Sequence, residues 1–306
     1  MSDVSKINRR HFIAGAAGVS VLPYLGIPGS AAAAQLAKPA AGVRIPVIGM
    51  GSWLTFDVGQ NRKLRDQRRE VLKAFFAAGG GMIDSSPMYG TSEEVIGDAL
   101  AKLPPQPALF SATKVWTVSK WLGVRQMNAS QKLWGLDGFD LMQIHNMLDW
   151  ETHLETLKQW KAEKRIRFIG ITTSHGRRHA AIEQAIASEP FDFVQLTYNL
   201  RDRAVEKRLL PLAMERGLGV IINRPFRRGG LFDTVKGSPL PDWAAEFDCS
   251  NWAQFFLKFV VSHPAVTCAI PATSRVDHMN ENMGAGTGRL PDAAMRKRMI
   301  AHFDSL

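Results

Sequence analysis

The chain has 306 residues and a mass of 33.8 kDa, long enough for two small domains or one large α/β barrel. An apolar fraction of 45% and a charged fraction of 22% are ordinary globular values and exclude disordered and fibrous chains. The net charge of +10 is spread out, with no block of about five or six like charges to make a nucleic-acid arm, and two cysteines, Cys249 and Cys268, exclude a disulfide scaffold and a Cys-rich zinc site.

Residues 1–34 read as an address. Asn8-Arg9-Arg10-His11-Phe12-Ile13 precedes an apolar, Gly/Ala-rich run from Ala14 to Ile27. Pro28-Gly29-Ser30-Ala31-Ala32-Ala33-Ala34 then offers small residues for a cleavage site. Adjacent arginines ahead of a mildly hydrophobic run form the twin-arginine export pattern. The run is too short, and too diluted by Pro23, Pro28 and glycine, for a spanning helix. The expectation is a signal peptide over 1–34, handed to the twin-arginine export machinery, with a periplasmic or otherwise exported product and no stable membrane anchor after cleavage. That route carries folded proteins, which points to a cofactor inserted beforehand and held tightly.

Residues 35–44, with Pro39 and Gly42, read as a linker, and 45–306 as one domain. Short apolar runs at Val47–Gly51, Met82–Asp84, Leu109–Lys114, Leu141–His145, Phe168–Thr172, Val194–Thr197, Gly219–Asn223 and Val266–Ile270 read as strands. Helical patterns lie between them. Arg68–Ala78 places Val71, Leu72, Phe75 and Phe76 on one face, and Gly79-Gly80-Gly81 stops it. Ser92 reads as the N-cap of a helix over Ser92–Leu103. Most spacings are about one βα unit, and eight such units in one domain of this length predict an α/β fold, a single (β/α)8 TIM barrel. No GxGxxG follows the first strand, so a doubly wound sheet is rejected. The long gap before the last strand has room for an extended loop over 229–242 and a helix around Asn251–Val261, and Asp292–Leu306 reads as a terminal helix.

In this fold active sites lie at the C-terminal ends of the strands. Those ends carry Asp84, Lys114 and His145 on three consecutive strands, and Tyr89 follows Asp84 in the next loop. A phenol with a pKa near ~10 is a poor acid at neutral pH unless its anion is stabilised. A lysine ammonium can do that, and an aspartate keeps the ammonium charged and oriented. A histidine on the fourth strand can hold a carbonyl oxygen. The set lacks a nucleophile or a metal, and fits a reaction in which a cofactor supplies the hydride. His175 and His179 have helix spacing for a metal pair but no glutamate between them, and read as the start of the fifth helix. No metal site is expected, no GxSxG elbow supports a hydrolase, and Cys268 reads as core.

Asp84-Ser-Ser-Pro-Met-Tyr89-Gly90 resembles the Asp-Thr-Ala-x-x-Tyr-Gly signature of the aldo-keto reductase superfamily. Ala112-Thr113-Lys114-Val115-Trp116 resembles its lysine strand, Leu141-Met142-Gln143-Ile144-His145 its histidine strand, and Arg165–Ile171 its fifth strand. Ile270-Pro271-Ala272-Thr273-Ser274 with Glu281-Asn282 resembles its adenosine-phosphate segment. The resemblance implies an oxidoreductase acting on a small carbonyl or alcohol substrate, with Tyr89 as general acid, Lys114 and Asp84 tuning it, and His145 positioning the carbonyl. It also implies a substrate pocket lined by Trp53 and Trp116, whose bland reading is barrel-rim aromatics, and cofactor contacts from Thr172, Thr173, Gln195, Asn223, Arg224, Arg275, Glu281 and Asn282.

The sequence departs from the pattern at several places. Thr172-Thr173 stands for the usual Ser-Asn, and Asn223 stands where many members stack an aromatic on the nicotinamide, with Phe226 as a possible replacement. Arg224 is unusual, and Arg227-Arg228-Gly229-Gly230 reads equally as a pyrophosphate cradle or an ordinary basic loop. His278 replaces an arginine found in many NADP-preferring members, and Arg275 can compensate, so NADP(H) is expected ahead of NAD(H). These departures also motivate a rival expectation, a nucleotide-binding sensor or regulatory subunit on the same barrel with little turnover.

Overall fold

The computed structural model describes residues 34–306; the twin-arginine segment, save Ala34, lies outside the described residues. The first element corrects the expected linker. Residues 37–46 form an antiparallel hairpin of β1 (Ala37–Ala40) and β2 (Val43–Pro46). Ala41 and Gly42 make its turn, both at positive φ (46° and 81°), as a two-residue hairpin turn matched to strand twist requires. Ala40 and Ile45 point into a buried cluster with Met82, Phe110, Leu141 and Phe193, which lie early in the barrel strands. The hairpin therefore floors the barrel. Lys38 fastens it, its Nζ donating to the carbonyls of Val261, His263 and Val266 at 2.8, 2.9 and 2.8 Å, and burial with the Arg296 charge lowers its pKa to about 8.

The barrel follows as β3 (Met50–Gly51), α1 (Arg62–Ala77), β4 (Met82–Asp84), α2 (Ser92–Lys102), β5 (Phe110–Val115), α3 (Lys120–Trp134), β6 (Phe139–Ile144), α4 (Trp150–Ala162), β7 (Ile166–Thr172), α5 (His179–Ser188), β8 (Phe193–Thr197), α6 (Leu209–Glu215) and β9 (Gly219–Asn223). It ends with α7 (Gly230–Thr234), α8 (Trp252–Val261), β10 (Cys268–Ala269), α9 (Val276–Gly284) and α10 (Ala293–Asp304). The strands from β3 to β10 pair in sequence, each neighbour parallel. Bridges Ile48↔Ala269 and Gly51↔Ala272 join the first strand to the last and close the cylinder. This is the expected (β/α)8 barrel, and all eight strands fall on the predicted runs.

Where the boundaries move, the cause is local. Helix α1 begins at Arg62, well before the expected Arg68, because Asn61 caps it by accepting from the Leu64 N–H at 3.1 Å. Its first turns are polar and carry no apolar periodicity. Ser92 is not the cap of α2 but its first helical residue, buried, with Thr91 in the cap position. The expected loop over 229–242 contains the short helix α7. Cys268 is core, and both cysteines are buried free thiols.

Candidate active site

The ends of β4, β5 and β6 converge on one polar cluster. Lys114, fully buried, is paired with Asp84 Oδ2 and donates to the Ser85 carbonyl at 2.6 Å. An ammonium has three N–H donors. Its nitrogen also lies 5.2 Å from the centroid of the Tyr89 ring. Burial acts to lower the Lys114 pKa, but Asp84 and the phenol overturn it and hold the ammonium above the ordinary lysine range. Burial is also the largest influence on Tyr89 and raises the phenol; Lys114 pulls against that rise and Asp84 adds to it.

The loop that presents Tyr89 has its own anchor. Asp57 accepts from the Thr91 N–H and Oγ1, each at 2.9 Å. Gly90 turns at φ 59°, and a Cβ there would lie 2.3 Å from the Asp57 carboxylate. Glycine after Tyr89 is thus demanded twice, by the left-handed backbone and by the close approach of Asp57.

His145 sits just past β6, opening a short 3-10 turn. Its ring meets Tyr89 edge-on at 5.8 Å. Burial, then the Lys114 charge, depresses its pKa to about 2, so the imidazole is neutral. Ser86 Oγ, fully buried, lies 2.9 Å from Nδ1 and accepts from the Met88 N–H at 3.3 Å. A hydroxyl can donate or accept; with Ser86 as the donor to Nδ1, Nε2 is the protonated nitrogen. The sequence reading missed Ser86, which occupies the third place of the Asp84–Gly90 signature where the family pattern has alanine; that departure was the available signal.

A second missed residue is Gln143 on β6. Its Nε2 and that of Gln195 on β8 both donate to Asp84 Oδ1, at 2.8 and 2.9 Å. Gln195 Nε2 also meets Gln143 Oε1 at 3.0 Å. Asn223 on β9 donates to Gln195 Oε1 at 3.2 Å and to the Thr173 carbonyl at 2.9 Å, while Thr197 donates to Asn223 Oδ1 at 2.6 Å. A polar layer of four strands thus runs beneath the site and ends on Asp84. A buried glutamine among the apolar residues of Leu141–Ile144 was visible in the sequence and marks that layer.

Above the layer opens a cavity of about 670 Å³. Tyr89, His145 and Trp53 wall one part of it, and Thr172, Asn223 and Arg224 another, with Gln195, Glu281 and Asn282 also lining it. Trp53 lies 6.4 Å from Tyr89 between ring centroids, and the Arg228 guanidinium sits 4.2 Å over the Trp53 ring. Arg224 Nη1 meets His175 Nε2 at 2.6 Å, while Arg224 Nε is buried with no partner. Burial, then Arg224, lowers the His175 pKa, which suits it to accept that N–H.

Three expected contacts are placed elsewhere. Thr173 is buried and spends its hydroxyl on the Arg177 carbonyl at 2.6 Å, outside the cavity lining. Arg275 stands in an exposed pair with Asp277, its Nε 2.9 Å from Oδ1, because a carboxylate two residues away captures its fork. Trp116 is at the rim, 41% exposed, with its ring 6.4 Å from His145. Phe226 lines the cavity but turns into a cluster with Phe232 and Phe256, at 5.1 and 6.4 Å. Among the described residues no group of His, Cys, Asp and Glu is placed to hold a metal ion, and no helix is long and apolar enough to cross a membrane.

Comparison with known proteins identifies the family and the fold. The aldo/keto reductase family model matches residues 47–299. The methylglyoxal reductase YeaE of Escherichia coli is 25% identical over 246 residues, covering 78% of this chain and 85% of that protein. An NADH-specific methylglyoxal reductase of the same organism is 28% identical over 198 residues, covering 54% and 58%. A crystal structure of an aldo/keto reductase from Klebsiella pneumoniae in complex with NADP and acetate superposes with a TM-score of 0.72 at 24% identity, over 86% of this chain and 93% of that one. With the family model spanning nearly all of the barrel, the chain belongs to the aldo/keto reductase family.

Proposed function

We propose that this protein is an exported NAD(P)H-dependent oxidoreductase that reduces an aldehyde or ketone to an alcohol, or runs the reverse oxidation, with NADP(H) ahead of NAD(H). The observation that carries the reading is the buried Asp84–Lys114–Tyr89 group beside a neutral His145, all at one end of an open cavity. The cavity also fits a phosphorylated nucleotide. Arg224 and Arg228 supply cations in its wall, and Arg224 Nε is a buried donor with no protein partner. Thr172, Asn223, Arg224, Arg228, Glu281 and Asn282 are the residues that would hold it, with Gln195 and Thr173 acting through the polar layer below.

When bound, the nicotinamide supplies a hydride to the carbonyl carbon. The chain's own residues manage the oxygen and the proton. His145 donates its Nε2–H to the carbonyl oxygen and holds it against Tyr89. Tyr89 passes its phenolic proton to that oxygen as negative charge grows there. Lys114 stabilises the phenolate left behind, and Asp84, held by the two glutamine amides, keeps the ammonium charged and aimed. The pair of Escherichia coli relatives supports a small carbonyl compound as substrate.

The leader read in residues 1–34 supports export to the periplasm through the twin-arginine machinery. One preparation tests the whole reading: the protein expressed with its own leader and purified from the periplasm. Stoichiometric NADP(H) released on denaturation, together with loss of the reduced-nicotinamide absorbance when an aldehyde is added, is the expected result. An empty barrel that binds no added nucleotide overturns both enzyme and sensor; bound nucleotide that no carbonyl compound oxidises leaves the sensor. Protein retained in the cytoplasm with its leader intact overturns export.

A further inference from the structure

A chain of hydrogen bonds crosses the cavity mouth through residues outside the expected cofactor contacts. His175 stands in the loop before α5 rather than in the helix. Asn146, next to His145, accepts at Oδ1 from the Ser174 hydroxyl at 3.1 Å. Ser174 Oγ lies 2.9 Å from His175 Nδ1, and His175 Nε2 lies 2.6 Å from Arg224 Nη1. The chain joins the loops after β6, β7 and β9, and all four residues line the cavity. Its directions follow from its cationic end. A guanidinium only donates, so His175 Nε2 accepts and carries no proton. The neutral ring then has its proton on Nδ1 and gives it to Ser174 Oγ, which leaves the hydroxyl proton for Asn146. The chain is complete only with a neutral His175.

Its backbone is held from behind. Thr172 Oγ1 accepts from the Asn146 N–H at 2.9 Å, Arg178 donates to the Asn146 carbonyl at 2.8 Å, and Thr197 Oγ1 accepts from the His175 N–H at 3.0 Å. Asn146, His175 and Arg224 have φ of 52°, 62° and 52°, a left-handed conformation uncommon outside glycine that collects at functional sites. The charges around the ring are one-sided. Arg224 and Arg228 act on it from the loop after β9, Arg177 from its own loop, and Asp202 from the loop after β8. Asp202 is shared, since it accepts from Asn199 at 3.0 Å and lies 3.6 Å from Arg227. Burial and the three arginines hold the His175 pKa below the ordinary histidine range, with Asp202 opposing them.

From this arrangement we infer that His175 is a positioning residue for the nucleotide's phosphates: as a neutral ring it engages Arg224, and when a phosphate oxygen takes Arg224 it gains a proton from solvent. The inference rests on the nucleotide-binding reading above and adds a coupled proton to it. Two effects share one sign. The anion's charge offsets the arginines and favours the imidazolium. A protonated ring cannot accept from Arg224, which frees Nη1 to join Nε as donors to the anion, the strong charge-assisted kind of hydrogen bond. By reciprocity, if binding takes up a proton, affinity must tighten as pH falls through the histidine range.

The test is calorimetric titration of the full-length protein with NAD+ between about pH 5.5 and 8.5, the range in which a histidine changes charge. The pyrophosphate of NAD+ stays ionised throughout, so the probe does not titrate. Repeating each titration in two buffers of different ionisation enthalpy counts the protons. Net proton uptake is expected, with Kd falling about tenfold from the alkaline to the acid end, within the usual span of such couplings. His175→Gln keeps an acceptor for Arg224 but cannot titrate, and should flatten the profile and abolish the uptake. NADP+ is run alongside, where the titration of its 2′-phosphate cancels in the difference between parent and variant. A parent whose Kd is flat and which takes up no proton overturns the inference. So does a profile that His175→Gln leaves intact, or one removed instead by changing the other cavity histidine, His278→Gln. Failure of both nucleotides to bind at any pH overturns the nucleotide reading itself, and the coupling with it.

Discussion

Replacing Asp84 with asparagine leaves Lys114 fully buried with one remaining protein carbonyl, that of Ser85 at 2.6 Å. A buried ammonium without a counter-charge gives up its proton. Keeping a lysine of ordinary pKa ~10.4 neutral at pH 7 costs about 1.36 kcal/mol for each of about 3.4 pH units, or about 4.6 kcal/mol. That ceiling agrees with the ~3–5 kcal/mol typical of a buried pair broken on one side. Between the depressed folded value and ~10.4 the unfolded variant binds one more proton than the folded one, so its stability rises with pH. The deficit should therefore shrink by about 1.4 kcal/mol per pH unit above pH 7. Lys114→Met should cost less, because Asp84 keeps the amide donors of Gln143 and Gln195 at 2.8 and 2.9 Å. The double variant should recover much of what Asp84→Asn loses. Urea unfolding at pH 7, 8 and 9 reads all of this. A deficit for Asp84→Asn below ~1 kcal/mol, a deficit that does not move with pH, or strict additivity of the two changes would refute the coupled pair.

Tyr89→Phe should bind NADPH as the parent does, by fluorescence titration, while kcat falls by about two to four orders of magnitude, the span of general acid catalysis; equal rates would remove Tyr89 from the mechanism. Ser86→Ala frees Nδ1 of His145 to carry the proton and should lower kcat/KM about tenfold, as the loss of one oriented hydrogen bond does, with nucleotide affinity unchanged; an unaltered kcat/KM would mean that the tautomer is fixed by something else. With the His145 pKa at about 2, reductive kcat should show no limb near pH 6.5, and an acid limb there that His145→Gln abolishes would refute the neutral imidazole. The same depressed value has a stability consequence, since the unfolded histidine gains a proton below about pH 6.5 and the folded one does not: stability should be unaffected above that pH and fall below it. Arg275→Ala should leave the preference for NADPH over NADH unchanged in competing Kd measurements, because Asp277 already captures its guanidinium; a narrowed ratio would return Arg275 to the nucleotide.

The strands were legible because each pairs an apolar run with a length and spacing that only a barrel satisfies, and Asp84, Lys114 and His145 were legible because each closes such a run. The hairpin over 37–46 was not. Its strands are only four residues each and carry Pro39 and Pro46, and what anchors it is Lys38 reaching carbonyls more than two hundred residues away, a relation no local pattern carries. Ser92 misled for the opposite reason: it has the chemistry of a cap, but the barrel buries it. The site's supporting atoms were hidden in the same way as the hairpin, since Gln143, Gln195 and Asn223 become intelligible only when β6, β8 and β9 are seen side by side.

Asn223 makes the point most sharply. Against the family pattern it reads as a loss, an aromatic platform exchanged for a small amide. In the folded chain every polar atom of that amide is used: Nδ2 serves Gln195 and Thr173, and Oδ1 serves Thr197. An aromatic ring here would leave Gln195 Oε1 and the Thr173 carbonyl without this donor, and the Thr197 hydroxyl without its acceptor, at a cost set by burial rather than by stacking. The carbonyl at Thr173 that Asn223 satisfies is a backbone group any residue there would offer, while the Thr173 hydroxyl goes to the Arg177 carbonyl. Asn223 is therefore one member of a hydrogen-bonded layer that ends on Asp84, and the layer orients the acid–base group from below while Arg224 and Arg228 line the cavity above it.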